Sequence, residues 1–428
     1  MHDVRELIER DQRTAAALAR RGYELRVAPL REAQRRRTEA ADRVTRLRAE
    51  LNRVSRAARS AGGGPSDAER DAARELRGAV RQAEEAVSAA ERELRDRLLT
   101  VPNVPDDDVP DGRTGDDTVE VRRGGPPPVP AGPERHHARI GETLGILDAA
   151  AAGRLSGARF SVARGAGARL ERALADFFLD LHTEGQGYTE YSVPYLVSRE
   201  TMTGTGQLPK FEDDLFATSV GGRELMLIPT GEVPLTNLFA RQTIDAAGLP
   251  LAVTARTPCF RAEAGSYGRD TRGILRLHQF EKVELVRICR PEDSRAELEV
   301  LLGHAEECLR RLELSYRVVL LPAGDLGFSA RMTYDMEVWL PGSDAYREIS
   351  SVSDCGTFQA RRAGIRVRTR DGVRSPAATL NGSALPIGRT VAALLEQGLR
   401  EDGSVELPAA LVPYAGFRRV LPGGGTAS

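Results

Sequence analysis

Two hydrophobic periods divide the chain. From Leu30 onward the positions Leu30, Ala33, Arg37, Ala40, Val44, Leu47, Leu51, Val54 and Ala58 step alternately by 3 and 4, a heptad seam with one charged member, Arg37. The run stops at Gly62-Gly63-Gly64-Pro65, Ser66 and Glu69 form a capping box, and Ala73, Leu76, Val80, Ala83, Val87, Ala90 and Leu94 repeat the spacing. Two matched seams joined by a tight turn predict an antiparallel coiled-coil hairpin over about 27–60 and 66–98. Each arm reaches on the order of 40 Å at 1.5 Å per residue. With the short helix and turn before it, this makes an N-terminal domain of residues 1–100.

Beyond it the pattern changes. Val101 to Pro133 is rich in Pro, Gly and Asp and predicts a linker, residues 101–133, rather than an element. Gly167 to Thr183 carries Leu170, Leu174, Phe177, Phe178 and Leu181 at helical spacing, and a strand ending in Y-S-V-P-Y-L-V follows. Thr257 to Arg287 then reads as two strands facing each other across a long polar loop, with Ile274, Leu275, Leu277, Phe280, Val283, Leu285 and Val286 on the return side. A period of two puts Arg261 with Glu263, and Phe280 with Glu284, on common faces. Pro291 to Leu312 predicts a helix, Arg317 to Leu321 and Tyr346 to Ser351 strands, and Val391 to Leu399 an apolar helix. The end of the chain, 421–428, predicts a flexible tail.

Composition narrows the picture only locally. At 428 residues, 41% hydrophobic and a mean hydropathy of −0.36, the chain suits two or three water-borne domains, and its net charge of −1 creates no global attraction to nucleic acid or membrane. Between Met1 and Leu98, however, 23 Arg stand against 18 Asp and Glu, a balance of +5 that leaves −6 for the remainder. A basic projecting arm suits a phosphate backbone; a dimerising or purely structural coiled coil has the same pattern. Met1 to Arg13 lacks an apolar signal core and no run approaches 18 apolar residues, so a cytoplasmic protein without a membrane segment is expected. Cys259, Cys289, Cys308 and Cys355 have no paired or metal-ligand spacing and read as reduced structural thiols, and the adjacent His136 and His137 point different ways on a helix and receive no role.

The candidate chemistry is one of phosphate and amine recognition. Arg261 can bind phosphate oxygens bidentately, Phe280 can receive a purine face, and Glu263 and Glu284 can accept from amines or hydroxyls. Thr230 and Glu232, on a proline-bounded turn, suit an ammonium group. Glu348 and Ser351 offer oxygens to a hard cation, and Arg389 sits at a helix start where an anion is favoured. Each has a plainer reading: an edge hairpin with solvated charges, a helix cap, an exposed strand-end carboxylate, a turn.

The stretch F-R-A-E-A-G-S-Y-G-R-D-T-R-G-I-L-R-L-H-Q-F-E-K-V-E resembles motif 2 of the class II aminoacyl-tRNA synthetases, and in detail that of the seryl-tRNA synthetase family. The helix and strand after Gly167, the Gly204-Thr205-Gly206-Gln207-Leu208-Pro209-Lys210-Phe211 stretch, the Leu227 to Pro234 turn, the Tyr346 to Ser351 and Phe358 to Arg362 segments, and Thr379 to Thr390 (resembling motif 3) extend the likeness over nearly the whole chain. It implies an α+β fold, a class II antiparallel sheet flanked by helices in a catalytic domain of residues 134–420. It also implies ATP-dependent activation of L-serine and transfer to tRNA(Ser). ATP would meet Arg261, Ala262, Glu263, Phe280, Glu348, Ile349, Ser350, Ser351 and Arg389, with Mg²⁺ reached through ATP by Glu348 and Ser351. Serine would meet Thr230, Gly231, Glu232, Arg261, Glu284, Asn381 and Ser383, and Arg261 and Arg389 would be catalytic. The helical arm would lie against the long variable arm of the tRNA, the loop Gly265 to Gly273 would reach its acceptor end, and the helix and strand after Gly167 would form a homodimer interface.

Several positions depart from the family pattern: Gly231, Ala262, Tyr267, Met332, Val352, Asp354, Ala384 and Pro386. They admit a specialised second copy, resistant to an inhibitor or feeding seryl-tRNA to a biosynthetic pathway. They also admit an amino acid ligase for a carrier protein and a non-catalytic tRNA-binding protein.

Overall fold

The structure is a computed structural model that describes residues 1–60, 66–264 and 273–428. The turn at Gly62 to Pro65 and most of the loop after Ala264, including Tyr267, therefore lie outside the described residues. The chain divides into two compact units, Met1–Ala19 with Tyr23–Pro102, and Asn103–Ser428 with Arg20–Gly22.

In the first unit two short helices, α1 (Val4–Glu9) and α2 (Asp11–Arg20), precede two long ones, α3 (Val27–Ser60) and α4 (Asp67–Leu99). The Ser66/Glu69 capping box is formed, each residue satisfying the other's backbone N–H. Of the predicted seam positions Leu30, Ala33, Ala73, Val80, Ala83 and Leu94 are buried and Ala40, Val44, Leu47, Leu51 and Val54 half-buried, which fits a coiled-coil hairpin. The charged seam member Arg37 is accommodated at the edge, 3.3 Å from Glu91 on the opposite helix, and Arg36–Glu93 (2.7 Å) and Arg48–Glu84 (2.6 Å) bridge the same pair.

The second unit is built on one eight-stranded sheet. Its elements are β1 (Val119–Gly124), α5 (His137–Thr143), α6 (Ala166–Gly185), β2 (Thr189–Glu190), α7 (Glu232–Asn237), β3 (Leu251–Phe260), β4 (Gln279–Cys289) and α8 (Ser294–Arg311). They continue with β5 (Tyr316–Leu320), β6 (Met332–Leu340), β7 (Ala345–Asp354), β8 (Ala378–Pro386) and α9 (Ile387–Gly398). The sheet order is β1-β5-β6-β7-β8-β4-β3-β2, antiparallel except where β2 meets β3. This is the expected α+β architecture. β4 explains the placement of the site: Val283 and Leu285 point into the main core, while Phe280, Lys282 and Glu284 alternate onto the other face, where Val286 and Ile288 continue as a smaller apolar cluster.

Four expectations need correction. Residues 119–124, placed in a linker, form the edge strand β1 against β5, because Val119 to Gly124 can pair with the exposed side of Tyr316 to Leu320. The tail is not loose: Thr426–Ala427 pairs with Arg419–Val420, and Leu421 N–H donates to Gly425 C=O at 2.8 Å, so glycines that suggested disorder serve a turn. Ile274, Leu275 and Leu277 are buried but precede β4 instead of belonging to it. Arg261 and Glu263 lie beyond the end of β3, and Glu263 has a left-handed φ of 54°, so they do not share a strand face.

Candidate active site

The cleft on the polar face of β4 has a volume of about 400 Å³ and is walled by β4, β7, β8, the start of α9 and the turn before α7. It brings together Thr230, Glu232, Arg261, Glu263, Phe280, Glu284, Glu348, Ile349, Ser351, Asn381, Ser383 and Arg389. Three of the predicted residues do not line it. Ser350 is buried and its hydroxyl donates to Ser383 C=O (2.7 Å), tying β7 to β8. Ala262 donates its N–H to Asp214 C=O at 3.0 Å. Gly231 packs behind the wall, where an added Cβ would lie 3.0 Å from Glu284 Cβ.

Two arginines of the cleft are held by carbonyl groups. Arg261 donates from Nε to Pro229 C=O (3.2 Å), and its guanidinium carbon lies 5.2 Å from the centroid of Phe280. Its two terminal nitrogens have no partner among the described residues. Arg389, in the first turn of α9, donates to Leu275 C=O (3.1 Å) and Glu348 C=O (2.6 Å), and approaches the Glu348 carboxylate at 3.4 Å. Glu263 is paired with Arg276 at 3.2 Å.

The base of the long loop is pinned from behind. Ile274 N–H donates to His137 Nε2 (3.2 Å), which leaves the ring proton on Nδ1, facing Glu396 Oε1 at 2.6 Å. Glu396 on α9 also accepts from His137 N–H (3.0 Å) and Gly342 N–H (2.7 Å). Gly273, at φ 87°, could not be another residue, since a Cβ would fall 2.0 Å from His137 Nε2. Both ring nitrogens of His137 are thus in use, and the cluster of His136, His137 and Glu396 is a structural network instead of a cation site.

Glu232 and Glu284 form a second group of side chains in the cleft. Glu232 Oε1 accepts from Gln359 (2.6 Å) and Asn381 (3.0 Å), and Gln359 in turn accepts from Thr379 (2.7 Å). Burial, and then the charge of Glu284, push the Glu232 carboxyl up to about 7, although part of its surface faces the cleft. Thr230 donates to Glu284 Oε2 at 2.7 Å. Lys282, to which the sequence pattern assigned no role, projects between Phe280 and Glu284 and reaches Thr230, Ser383 and Glu284. The same period of two that joined Phe280 to Glu284 contains it. Asp335 is a second residue without a predicted role: on β6 opposite Ser351, it is half-buried, and its shielded Oδ1 has no hydrogen-bond partner among the described residues. Burial and the nearby Glu348 hold its carboxyl well above the ordinary range. Asp335 and Glu337 are the two acids of Met332 to Leu340, and only the fold separates them, since Glu337 is paired with Arg317.

Comparison with known proteins accounts for both units. A sequence model described as the seryl-tRNA synthetase N-terminal domain matches residues 1–105, and one described as the tRNA synthetase class II core domain (G, H, P, S and T) matches residues 214–398. "Serine–tRNA ligase 2" of Streptomyces avermitilis is 72% identical over the whole of both chains. The chain belongs to the seryl-tRNA synthetase family. The synthetase is also similar to the serine–tRNA ligase of Nitratidesulfovibrio vulgaris strain Hildenborough, at 49% identity over 97% of this chain and 98% of that one. Among solved structures it resembles seryl-tRNA synthetase from Pyrococcus horikoshii complexed with ATP, with a TM-score of 0.87 and 32% identity over 99% of this chain and 100% of that one. It also resembles the cytoplasmic serine–tRNA ligase of Naegleria fowleri in complex with AMP, with a TM-score of 0.84 and 25% identity over 98% of each chain. A specialised copy, a carrier-protein ligase and a non-catalytic tRNA-binding protein are not favoured by these relatives. No helix among the described residues is long and apolar enough to cross a membrane.

Proposed function

We propose that this synthetase forms seryl-adenylate from L-serine and ATP and passes the seryl group to tRNA(Ser), using the cleft on β4 for both steps. The observation that carries the reading is that one cleft brings together two sets of groups: the carbonyl-anchored Arg261 and Arg389 with Phe280, and Glu232, Glu284, Asn381 and Ser383. The first suits the adenine and phosphates of ATP, the second an amino acid with an ammonium and a hydroxyl group.

In the first step a serine carboxylate oxygen attacks the α-phosphorus in line, and the bond to the bridging oxygen breaks, so that pyrophosphate leaves with the electron pair. In the second the terminal ribose hydroxyl of the tRNA attacks the seryl carbonyl carbon, losing its proton, and AMP leaves. Neither step needs a nucleophile from the protein, and the four buried cysteines are free of that duty. Positioning and charge neutralisation supply the acceleration. Arg261, with its terminal nitrogens unused by the described residues, takes the α-phosphate; Phe280 stacks on the adenine; Glu263 and the backbone at Ala262 border its edge; and Arg389 takes phosphate charge, with Ile349 and Ser350 shaping the β7 wall. Glu232 and Thr230 receive the serine ammonium beside Gly231.

The residues also fit Mg²⁺. Glu348, Ser351 and the orphaned oxygen of Asp335 make a spot rich in hard oxygen ligands, and Glu348 and Ser351 would hold the ion against ATP. When bound, Mg²⁺ neutralises charge on the phosphates.

The arm supplies tRNA affinity. Arg77, Arg81, Arg92 and Arg95 are exposed and without ion partners among the described residues, and at 100° per residue they fall within about 60° on one face of α4. Exposed Tyr191, Tyr195 and Leu196, following α6 and around β2, support self-association there as a homodimer. The decisive experiment is serine-dependent exchange of pyrophosphate into ATP, with threonine and alanine as controls. Arg261→Ala and Arg389→Ala should each lower it by about 10² to 10³; near-wild-type exchange in either refutes that residue's assignment.

A further inference from the structure

Arg20 to Gly22 belong to the second compact unit although the residues on either side of them belong to the first. The two arginines hold different things there. Arg20 pairs with Asp111 (2.6 Å) and donates to the carbonyls of Asp106 (3.3 Å) and Val109, none of which lines the cleft. Arg21 meets no carboxylate among the described residues. Its terminal nitrogens donate only to carbonyls, Nη1 to Asn103 (2.6 Å) and Ala330 (2.9 Å), and Nη2 to Leu326 and Gly327 (2.7 Å each). A planar guanidinium presents its donors in a fixed fork, so four carbonyls gathered around it have their places set by it.

Asn103 completes the clamp. It is buried, its N–H donates to Phe328 C=O (2.9 Å), and its Nδ2 donates to Ser329 C=O and Cys355 C=O (2.9 Å each). Five consecutive carbonyls, from Leu326 to Ala330, are thus taken up by Arg21 and Asn103, in a stretch that lies outside helix and strand. Gly327 to Ala330 line the cleft, and two hydrogen-bond paths lead from this clamp to Glu232. Along the first, Ser329 Oγ donates to Thr205 C=O (2.7 Å), and Gln359 donates both to that carbonyl (3.1 Å) and to Glu232 Oε1 (2.6 Å). The fit there is close, since an added Cβ at Gly206, with its φ of 93°, would collide with Ser329 Oγ. Along the second, Asn103 holds Cys355 C=O, and Asn381 donates to Cys355 Sγ (3.6 Å) and to Glu232 Oε1 (3.0 Å).

We propose that Arg21, acting with Asn103, is a positioning residue for the amino acid site: it fixes the Leu326 to Ala330 wall and, through Thr205, Gln359 and Asn381, the place of the Glu232 carboxyl. The inference rests on the assignment of Glu232 to the serine ammonium. Arg21 touches no substrate; it governs where an acceptor that does is held. Both clamp residues lie outside residues 214–398, the part matched by the class II core model, so the wall of the core is set by the chain that precedes it. The phosphate-binding groups are anchored separately, Arg261 by Pro229 and Arg389 by Leu275 and Glu348, and neither path passes through them. Loss of the clamp should therefore fall on serine and spare ATP.

The test uses the full-length protein with Arg21→Ala, Asn103→Ala and, as a comparison from the same segment, Arg20→Ala. Each is measured by pyrophosphate exchange titrated in serine and in ATP, and by a thermal melt. Arg21→Ala and Asn103→Ala should each raise the KM for serine about tenfold or more, with the KM for ATP within about threefold of wild type. Arg20→Ala loses a hold on carbonyls away from the cleft and should melt earlier while its KM for serine stays within about threefold of wild type. A wild-type KM for serine in Arg21→Ala or Asn103→Ala overturns the proposal. So does an equal rise in the KM for ATP, or a rise in Arg20→Ala as large as in Arg21→Ala, since either would mean general loosening. Should Arg21→Ala fail to fold, Arg21→Lys keeps the charge but cannot fork to four carbonyls, and it must raise the KM for serine about threefold or more; a wild-type value there overturns the proposal. If the wild-type protein itself gives no serine-dependent exchange, the assignment of the cleft falls and the proposal with it; if it does, a failed Arg21 test leaves that assignment standing.

Discussion

Replacing His137 with Ala should damage catalysis from behind the cleft. The ring has no exposed surface and does not itself line the cleft, but it is the acceptor for Ile274 N–H and a donor to Glu396. Its loss orphans a buried N–H, at about 1–3 kcal/mol, and removes a hydrogen bond to a carboxylate worth about 1.5–3 kcal/mol. The sum is about 2.5–6 kcal/mol, of which the orphaned N–H of Ile274 falls on the segment Gly273 to Leu275. Leu275 C=O is what holds Arg389 Nε, so a shift of that segment by about 1 Å would misplace the guanidinium and lower kcat/KM for ATP by about 10². Pyrophosphate exchange titrated in ATP at saturating serine, alongside a thermal melt, separates the effects. His137→Gln, which can still offer an acceptor, should recover part of the rate. A His137→Ala protein that melts earlier yet keeps the wild-type kcat/KM for ATP would refute the link from His137 to Arg389.

Further outcomes follow from the same geometry. Arg77, Arg81, Arg92 and Arg95 changed together to Ala should raise the KM for tRNA and flatten its log–log salt dependence by up to about 3.6, at 0.7–0.9 per phosphate lost, with pyrophosphate exchange unaltered. Since Glu232 must be ionised to take the serine ammonium, kcat/KM for serine should climb as pH rises to about 7 and level off above it; a Glu232→Gln protein with the same profile would contradict this. Asp335→Asn should raise the Mg²⁺ concentration for half-maximal exchange about tenfold without lowering the melting temperature, because the native carboxyl is disfavoured as an anion where it sits.

What could be read from the sequence divides along a physical line. The hairpin was legible because its seams are local: Leu30 to Val54 and Ala73 to Leu94 declare their period whatever surrounds them. Most of the cleft residues were reached through motif resemblance, and Phe280 and Glu284 also through the alternation of β4. What failed depended on partners distant in sequence. Val119 to Gly124 is a strand only because β5, about 200 residues on, leaves an open edge, and Thr426–Ala427 only because Arg419–Val420 is there to receive it. Glu263 left the strand face because the chain turns through a left-handed residue, which nothing in F-R-A-E marks in advance. Asp335 and Lys282 looked like charges in a strand until the fold surrounded them.

Those two residues and Glu232 point to one organising feature of the site. A carboxyl lifted by burial contributes stability that is complete below its unfolded value and lost as pH rises through its folded one; for Glu232 that window runs from about 4.5 to about 7. At neutral pH the protein therefore holds two carboxyls whose charged forms it poorly accommodates, Glu232 on the cleft wall and Asp335 behind Ser351. A serine ammonium near the first and a divalent cation near the second would each favour the ionised carboxylate and recover that stability. Lys282 supplies part of this compensation permanently and leaves Glu232 unbalanced, so that the missing positive charge is the one the substrate carries.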